Sequence, residues 1–485
     1  MEKKILTTPI DVPFNFTISI KESRTAKDIV HLLDVEQCIP NPPTVKTLKN
    51  IRIVSNEHKS YTRFFEELAQ VFGTRVPLNS QVNKDMPSFT GEYREVLTEN
   101  LTDNILYGYG DPAVLRVDER NGLKGTWYYL LATSNDAPDS FPIIRSRNLK
   151  DWEFVGFVFP KGSKPSWAAD GLLISDYWAP EMHLIGDEFK IYFVARDRNT
   201  SELCIGIAKS TQPDGPFISE KEPILKENVI DPHVFVEDDN TVYLYWKKDN
   251  NDLFPALLTD LLFKYPDFIV ELFPKKEDQI TASFIQTLWS WARNLQPMDR
   301  FLFLQILIEA ITPNFLSFQY RLKRLRNKQT YPFIKDDINA VLQVIRTPVY
   351  AQKLSDDGTR LVGKPRKVLE NDKAWEAHLV EGMWVTKHRG KYYLFYAGND
   401  FSTDRYGIGV AIANSPLGPF KKMPKPFLRS TSDWSGPGHP SVVIGPDGEY
   451  HMFLHAYFPR KTGYKEFRAL LAVPIAFKPD CVLLR

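Results

Sequence analysis

From about residue 105 onward, short apolar and aromatic runs alternate with turns rich in Gly, Pro and Asp, which is the pattern of successive β-strands. Trp127 to Thr133, Phe189 to Ala195 and Lys391 to Ala397 are such runs. The second is followed by Cys204 to Ser210 and then by Gly215-Pro216-Phe217. The third is followed by Gly407 to Ala413 and then by Gly418-Pro419-Phe420. The two Gly-Pro-Phe turns hold the same place in their units, so these segments read as copies of one four-stranded motif. Five openings precede the units, and each sets an acid or a histidine in front of an apolar run. They carry Asp111, Glu181, Asp231, Glu381 and His439. Four-stranded units repeating every 50 to 70 residues or so predict propeller blades. The expected fold is an all-β core, a five-bladed β-propeller, with a mixed N-terminal extension and an α-helical insertion. Five like units should point their polar side chains from one common position toward the axis of a ring.

The spacing fails once. Between Asp231 and Glu381 lie about 150 residues, roughly one hundred more than a blade needs. The excess has helical texture, with Leu257, Leu258, Leu261 and Leu262, then Phe284, Ile285, Leu288 and Trp289, then Phe301 to Ile311. Residues 252–346 are therefore expected to be a helical insertion inside the third blade, between its second and third strands. Blades 1 to 3 then begin in 105–251, and 347–485 complete blade 3 and supply blades 4 and 5. Because strands of an up-and-down blade alternate in direction, the insertion should emerge on the face that carries Asp231. There it would serve as a lid or as an oligomer contact. Residues 1–104 show no repeat. Within them Tyr61, Phe64, Phe65, Leu68, Val71 and Phe72 mark one face of a helix, with Ser55 or Asn56 as its N-cap and Gly73 at its C-terminus. This region reads as an extension docked on the main domain.

Composition narrows the chemistry. The net charge is +1, which gives no electrostatic case for nucleic acid or an anionic membrane, whereas a neutral carbohydrate partner is compatible with it. The three cysteines, Cys38, Cys204 and Cys481, are too far apart to suggest a disulfide framework or a zinc site. With no apolar leader after Met1, they point to reduced thiols and a cytoplasmic setting. The apolar stretch Phe301 to Ile311 is too short to span a bilayer and contains Gln305 and Glu309.

Breaking a glycosidic bond requires an acid for the leaving oxygen and a second carboxylate on the anomeric side. A third carboxylate near the acid keeps it protonated by like-charge repulsion. A ring that gathers Asp111, Asp231 and Glu381 meets that demand. The ordered motifs around Asp111-Pro112, Trp178-Ala179-Pro180-Glu181, Asp231-Pro232-His233, Glu381-Gly382 and Gly438-His439-Pro440 resemble those of glycoside hydrolase family 43. The resemblance covers about 105–250 and 347–480. It implies a five-bladed propeller and an inverting hydrolase of the arabinofuranosidase, β-xylosidase, arabinanase or galactosidase kind, and the reading adopted is exo-acting release of α-L-arabinofuranosyl or β-D-xylosyl residues from oligo- or polysaccharide. By the same resemblance Asp111 is the general base that activates water, Glu381 the general acid, and Asp231 the carboxylate that orients the acid and raises its pKa. Glu181 is implied to be structural, and His439 to lie near a possible calcium ion in the central channel. The chemistry itself needs no cofactor. Trp178, Trp434 and Arg405 are the candidate sugar contacts. Two rival readings are a retaining five-bladed enzyme acting on fructans and a non-catalytic sugar-binding propeller.

Overall fold

The computed structural model describes residues 3–8, 14–25, 28–40, 43–76, 93–120, 123–172, 174–251 and 253–485. The chain divides into two compact units. One comprises Met1–Val82 with Asn250–Arg346, the other Asn83–Asp249 with Thr347–Arg485.

The second unit is the propeller. Blade 1 is built from Ala113–Val117, Trp127–Leu131, Ser140–Ser146 and Glu153–Phe159, and blade 2 from Trp178–Ile185, Glu188–Arg196, Leu203–Ser210 and Ile218–Ser219. Blade 3 contains Val229–Val236, Val242–Lys248, Pro348–Leu354 and Leu361–Glu370, and blade 4 Val380–His388, Lys391–Gly398, Gly407–Ala413 and Lys421–Lys422. Ser435–Ile444, Tyr450–Tyr457, Ala469–Lys478 and Cys481–Leu484 form blade 5. Each blade pairs its strands in sequence order and antiparallel. The innermost strand of each blade packs beside that of the next, and the fifth packs beside the first. The ring is therefore a five-bladed β-propeller. Its Gly215–Pro216 and Gly418–Pro419 peptides, the two equivalent turns, are both cis.

Two details extend what the pattern predicts. Arg94–Leu97, placed in the extension by sequence, pairs with the third strand of blade 5, with Leu97 opposite Leu470 and Arg94 opposite Ala472. This hydrogen-bonds the chain just before blade 1 onto the last blade, so the edge it covers is no longer an open template for pairing. The second detail concerns the first unit. Sequence treats residues 1–104 and 252–346 as separate additions, but their contacts join them. A four-stranded antiparallel sheet of Lys3–Thr7, Asn15–Arg24, Ile29–Pro40 and Pro43–Val54 precedes the helix His58–Phe72. Phe16 of the sheet meets Phe72 of that helix and Phe284 of the insertion edge-on, at 5.7 and 5.6 Å. Buried Asp299 of the insertion accepts hydrogen bonds from Tyr61 Oη and the Asn56 amide, both at 2.6 Å. Asn56, at φ 60°, thus spends its amide on Asp299, and the helix begins after Glu57 without a side-chain cap. Gly73 closes it as expected, in the left-handed conformation at φ 78° with its N–H on Ala69 O.

The insertion leaves the ring after Val242–Lys248 and returns at Pro348–Leu354, which pair directly with each other. It holds the helices Leu253–Lys264, Phe268–Leu272, Lys276–Ala292, Pro297–Ile311, Phe315–Lys328 and Pro332–Val344. The helical run Pro297–Lys328 is in fact long and apolar enough to cross a membrane by composition, because a short turn joins two helices end to end. However, 78% of its most apolar window is buried within the fold. A helix apolar on all sides suits such a core position.

Candidate active site

The inner strands of blades 2 to 5 are broken at the same place. In blades 2 to 5 the pairing slips between Trp178 and Glu181, Ile230 and His233, Glu381 and Trp384, and Gly438 and Ser441. The first residue of each slip, and Asp111 in blade 1, lies in left-handed conformation: Asp111 at φ 52°, Ala179 at 43°, Asp231 at 55°, Gly382 at 57° and His439 at 50°. A bulge re-aims the side chains around it, and strained backbone conformations cluster at functional sites.

This register corrects the expectation of one common polar position. Asp111, Asp231 and His439 are equivalent to one another and to Ala179 and Gly382. Glu381 stands one residue earlier, where blade 2 has Trp178 and blades 1 and 5 have Gly110 and Gly438. Glu181 stands two residues later, level with His233. The two-residue bulge allows neighbouring positions to serve the same axis, which no strict alternation would predict.

Asp111 is the most heavily partnered acid. Its Oδ1 accepts from Arg468 Nη1 at 2.8 Å and lies 3.3 Å from His439 Nδ1, while Oδ2 accepts from Thr133 Oγ1 at 2.5 Å. Its amide donates to His455 Nδ1 at 3.0 Å. Burial opposes ionisation, but Arg468 and then His439 outweigh it and hold the carboxyl well below the ordinary range. His439 gains in return. Burial alone would lower it, yet Asp111 raises its pKa to about 9, so it is an imidazolium at neutral pH. Gly110 is dictated by this packing, because a Cβ there would stand 1.8 Å from Arg468 Cζ.

Asp231 and Glu381 form the other half. Asp231 Oδ2 accepts the Gly382 amide at 2.8 Å, gripping the peptide next to Glu381. Glu381 Oε1 accepts from Tyr406 Oη at 2.8 Å and Oε2 from Lys247 Nζ at 3.0 Å. Gly438 makes room for the Tyr406 ring, since a Cβ would meet it at 1.8 Å. The upward shift in this pair falls on Asp231, raised to about 7 chiefly by burial, with His439 and Lys247 opposing and Glu381 adding to it. Sequence had assigned a raised pKa to the acid; here the elevated group is its partner Asp231. A raised carboxyl contributes stability that is complete below the unfolded value of 3.8 and is lost as pH rises through about 7. Asp231→Asn, which mimics the protonated form, should gain on wild type between pH 4 and 8 by on the order of 3 kcal/mol. Thermal unfolding of the propeller across that range checks this; parallel curves for the two proteins would contradict it.

Glu181 ties blade 2 to blade 3. It accepts from His183 Nε2 at 2.8 Å, His233 Nδ1 at 2.9 Å and the Val234 amide at 3.3 Å. Burial would raise it, but His233 and His183 bring it down to about 2. His233 Nε2 in turn accepts the Val385 amide at 2.9 Å, and its ring lies 4.8 Å from Trp384.

Glu181, His183 and His233 have ligand atoms close enough to surround an ion. These residues do not fit calcium, because two imidazoles and one carboxylate are not its oxygen donors. His233 has a further obstacle. With Nε2 occupied by a backbone N–H, its proton sits on Nδ1, facing Glu181. His439 as an imidazolium has no lone pair to give either.

Of the candidate sugar contacts, Trp178 is half-buried, donates Nε1 to Asn135 at 3.0 Å and occupies in blade 2 the position Glu381 has in blade 4. Arg405 is half-buried, and its Nε lies buried without a hydrogen-bond partner among the described residues. Trp434 departs from expectation. It is 5% exposed, in the blade 4–5 core beside Phe458 at 5.1 Å, and presents no face for a sugar. Sequence reasoning missed Arg468, Lys247, Thr133 and His455. Only the closely spaced Gly108 and Gly110 hinted at Arg468, by requiring something to pack against them.

A closed five-bladed ring with three carboxylates at its centre, Asp231 and Glu381 buried and Asp111 partly so and clamped as an anion, defines a propeller built for carbohydrate chemistry. The family model for glycosyl hydrolases family 43 matches residues 105–262 and 335–482, and the chain belongs to that family. Sequence relatives include Xylosidase/arabinosidase 43A of Humicola insolens, 42% identical over 69 residues, 14% of this chain and 21% of that protein. Another is Beta-D-galactofuranosidase xynD of Aspergillus niger, 34% identical over 85 residues, 17% of this chain and 25% of that protein. The matched stretches thus span about a quarter or less of these relatives' lengths. Among solved structures, a thermostable family-43 glycoside hydrolase aligns at 26% identity with a TM-score of 0.52, covering 78% of this chain and 93% of the other.

Proposed function

We propose that this chain is an inverting glycosidase that removes α-L-arabinofuranosyl or β-D-xylosyl residues from the ends of oligo- or polysaccharides. The observation that carries the reading is the split in the three carboxylates. Arg468 and His439 keep Asp111 an anion, while Asp231, which grips the peptide beside Glu381, stays protonated up to about neutral pH. Environments that push neighbouring acids apart in this way are those that assign base and acid. In the proposed mechanism Asp111 takes a proton from the attacking water. Glu381 gives one to the glycosidic oxygen as its bond to the anomeric carbon breaks. Asp231 holds the Glu381–Gly382 peptide in place and favours retention of the proton. The low exposure of Asp111 and Glu381, 14% and 8% for their side chains, supports action on a single terminal sugar rather than on a long chain. Trp178 and Arg405, both half-buried, serve as sugar contacts.

The test is the anomer first formed, followed by NMR during turnover of arabino- and xylo-oligosaccharides, with a β-D-galactofuranoside included. Inverted product from an arabinosyl or xylosyl substrate is expected. Retained configuration would remove Asp111 from the role of base, and release of galactofuranose alone would overturn the substrate assignment.

A further inference from the structure

Lys247 is a charged side chain in a place that discourages one. The second strand of blade 3 runs from Val242 through Trp246 with mostly buried residues, and Lys247 itself is 0% exposed. Its neighbour Lys248 points the other way, to the surface, where it meets Glu227. Lys247 pairs across the sheet with Ile230, the residue before Asp231, so the bulge that aims Asp231 also sits against this lysine. Its Nζ lies 3.0 Å from Glu381 Oε2 and 3.8 Å from Asp249 Oδ1. Burial lowers its pKa, yet Glu381, Asp249 and Asp231 together raise it, so the ammonium is retained. A buried ammonium is costly unless its position earns compensating contacts, and here the principal contact is the candidate acid.

An ammonium has only donors. The oxygen facing Lys247 therefore cannot itself carry a proton directed at Lys247. Tyr406, on the other oxygen, has both a donor and acceptor lone pairs and adapts to either state. Resting on the reading of Glu381 as the general acid, we propose that Lys247 is a positioning residue that fixes Oε2 of Glu381 as the unprotonated oxygen. The proton delivered to the leaving group is then carried on Oε1, the oxygen beside Tyr406.

The step balances. The Oε1 proton passes to the glycosidic oxygen, which keeps the electron pair of the broken bond. Water bonds to the anomeric carbon and gives its proton to Asp111. The Glu381 carboxylate left behind is met by Lys247 Nζ and the Tyr406 hydroxyl, so it forms with both oxygens already solvated by donors. Other titratable groups surround the Asp231–Glu381 pair. Asp231 and Asp111 are anionic or proton-sharing, His439 is cationic, and His378 is kept neutral, its pKa lowered to about 3 by burial and then by the Lys247 charge. None of the three neutral or anionic neighbours can replace the ammonium on Oε2, and His439 is engaged by Asp111.

Three substitutions test the proposal. K247M removes the charge, K247Q removes it while keeping an amide donor should the methionine variant not fold, and K247R keeps it. With K247M and K247Q, the alkaline limb of kcat/KM should move up by about one pH unit, the low end of the effect of a nearby opposite charge. Turnover of an oligosaccharide should fall about 10- to 100-fold. A 2,4-dinitrophenyl glycoside, which hardly needs an acid, should lose less than about threefold. K247R should keep the wild-type limb. An unmoved limb in folded K247M or K247Q, or equal losses on both substrates, would overturn the proposal. The carboxyl-carbon NMR titration of Asp231 and Glu381, assigned with D231N and E381Q, gives a readout independent of turnover. If the wild type hydrolyses no glycoside, the reading of function fails on that control, while the titration still decides the role of Lys247. It should move up in K247Q, and an unmoved titration would overturn the role.

Discussion

Asp111→Asn lowers kcat/KM on arabino- or xylo-oligosaccharides by about a thousandfold, within the usual range for loss of a general base. The amide keeps the shape of the carboxylate but cannot take a proton from water. The variant should also be less stable at neutral pH, by about 3 kcal/mol, because Arg468 and the His439 imidazolium lose their buried counter-ion. The sign of the pH dependence separates this from a simple packing defect. Asp111 is depressed in the fold, so its contribution is complete above the unfolded value of 3.8 and fades as pH falls toward the folded one. The gap between wild type and variant should therefore narrow in acid. Steady-state kinetics with thermal unfolding at several pH values checks both parts, and a gap that is constant with pH would show that the charge of Asp111 does not matter to the fold.

Glu381→Gln should cost roughly a hundredfold or more on an oligosaccharide and less than about tenfold on a 2,4-dinitrophenyl glycoside, since a good leaving group departs without a proton. In the wild type, activity should decline above about pH 7, as Asp231, which holds the peptide beside Glu381, loses its proton. In Glu381→Gln, assayed on the activated substrate, that alkaline decline should disappear. Equal losses on the two substrates would point to a defect in binding rather than in protonation. The two variants thus probe the opposite ends of the same event, one through water and the other through the leaving oxygen.

Much of this site could be read from residues close together in the chain. The Asp-Pro openings, the Gly-Pro-Phe turns and the aromatic runs recur at blade spacing, and that recurrence gave both the propeller and the three acids. The position of the helices between Lys248 and Pro348 was also legible, as a gap too long for one blade. What misled was the assumption that five similar-looking openings align residue for residue. Glu381 and Glu181 sit one position before and two after the left-handed residue, and a bulge is invisible to a pattern of alternation. Trp434 misled in another way, since its nearness to His439 in sequence says nothing about which side of the blade it faces.

Sequence alone determined the number of blades and the site of the insertion, and it singled out Asp111, Asp231 and Glu381 as candidates, because periodicity and turn chemistry are properties of near neighbours. Tertiary structure alone decided the state of those acids. Arg468 reaches Asp111 across 357 residues and Lys247 reaches Glu381 across 134, and each is a cation in an unremarkable stretch until the ring closes. It also decided that the first strands and the inserted helices share one core, joined by Asp299 to Tyr61 across 238 residues. Charge and burial depend on everything that surrounds a group in space, and for these groups the decisive neighbours come from the far side of the chain.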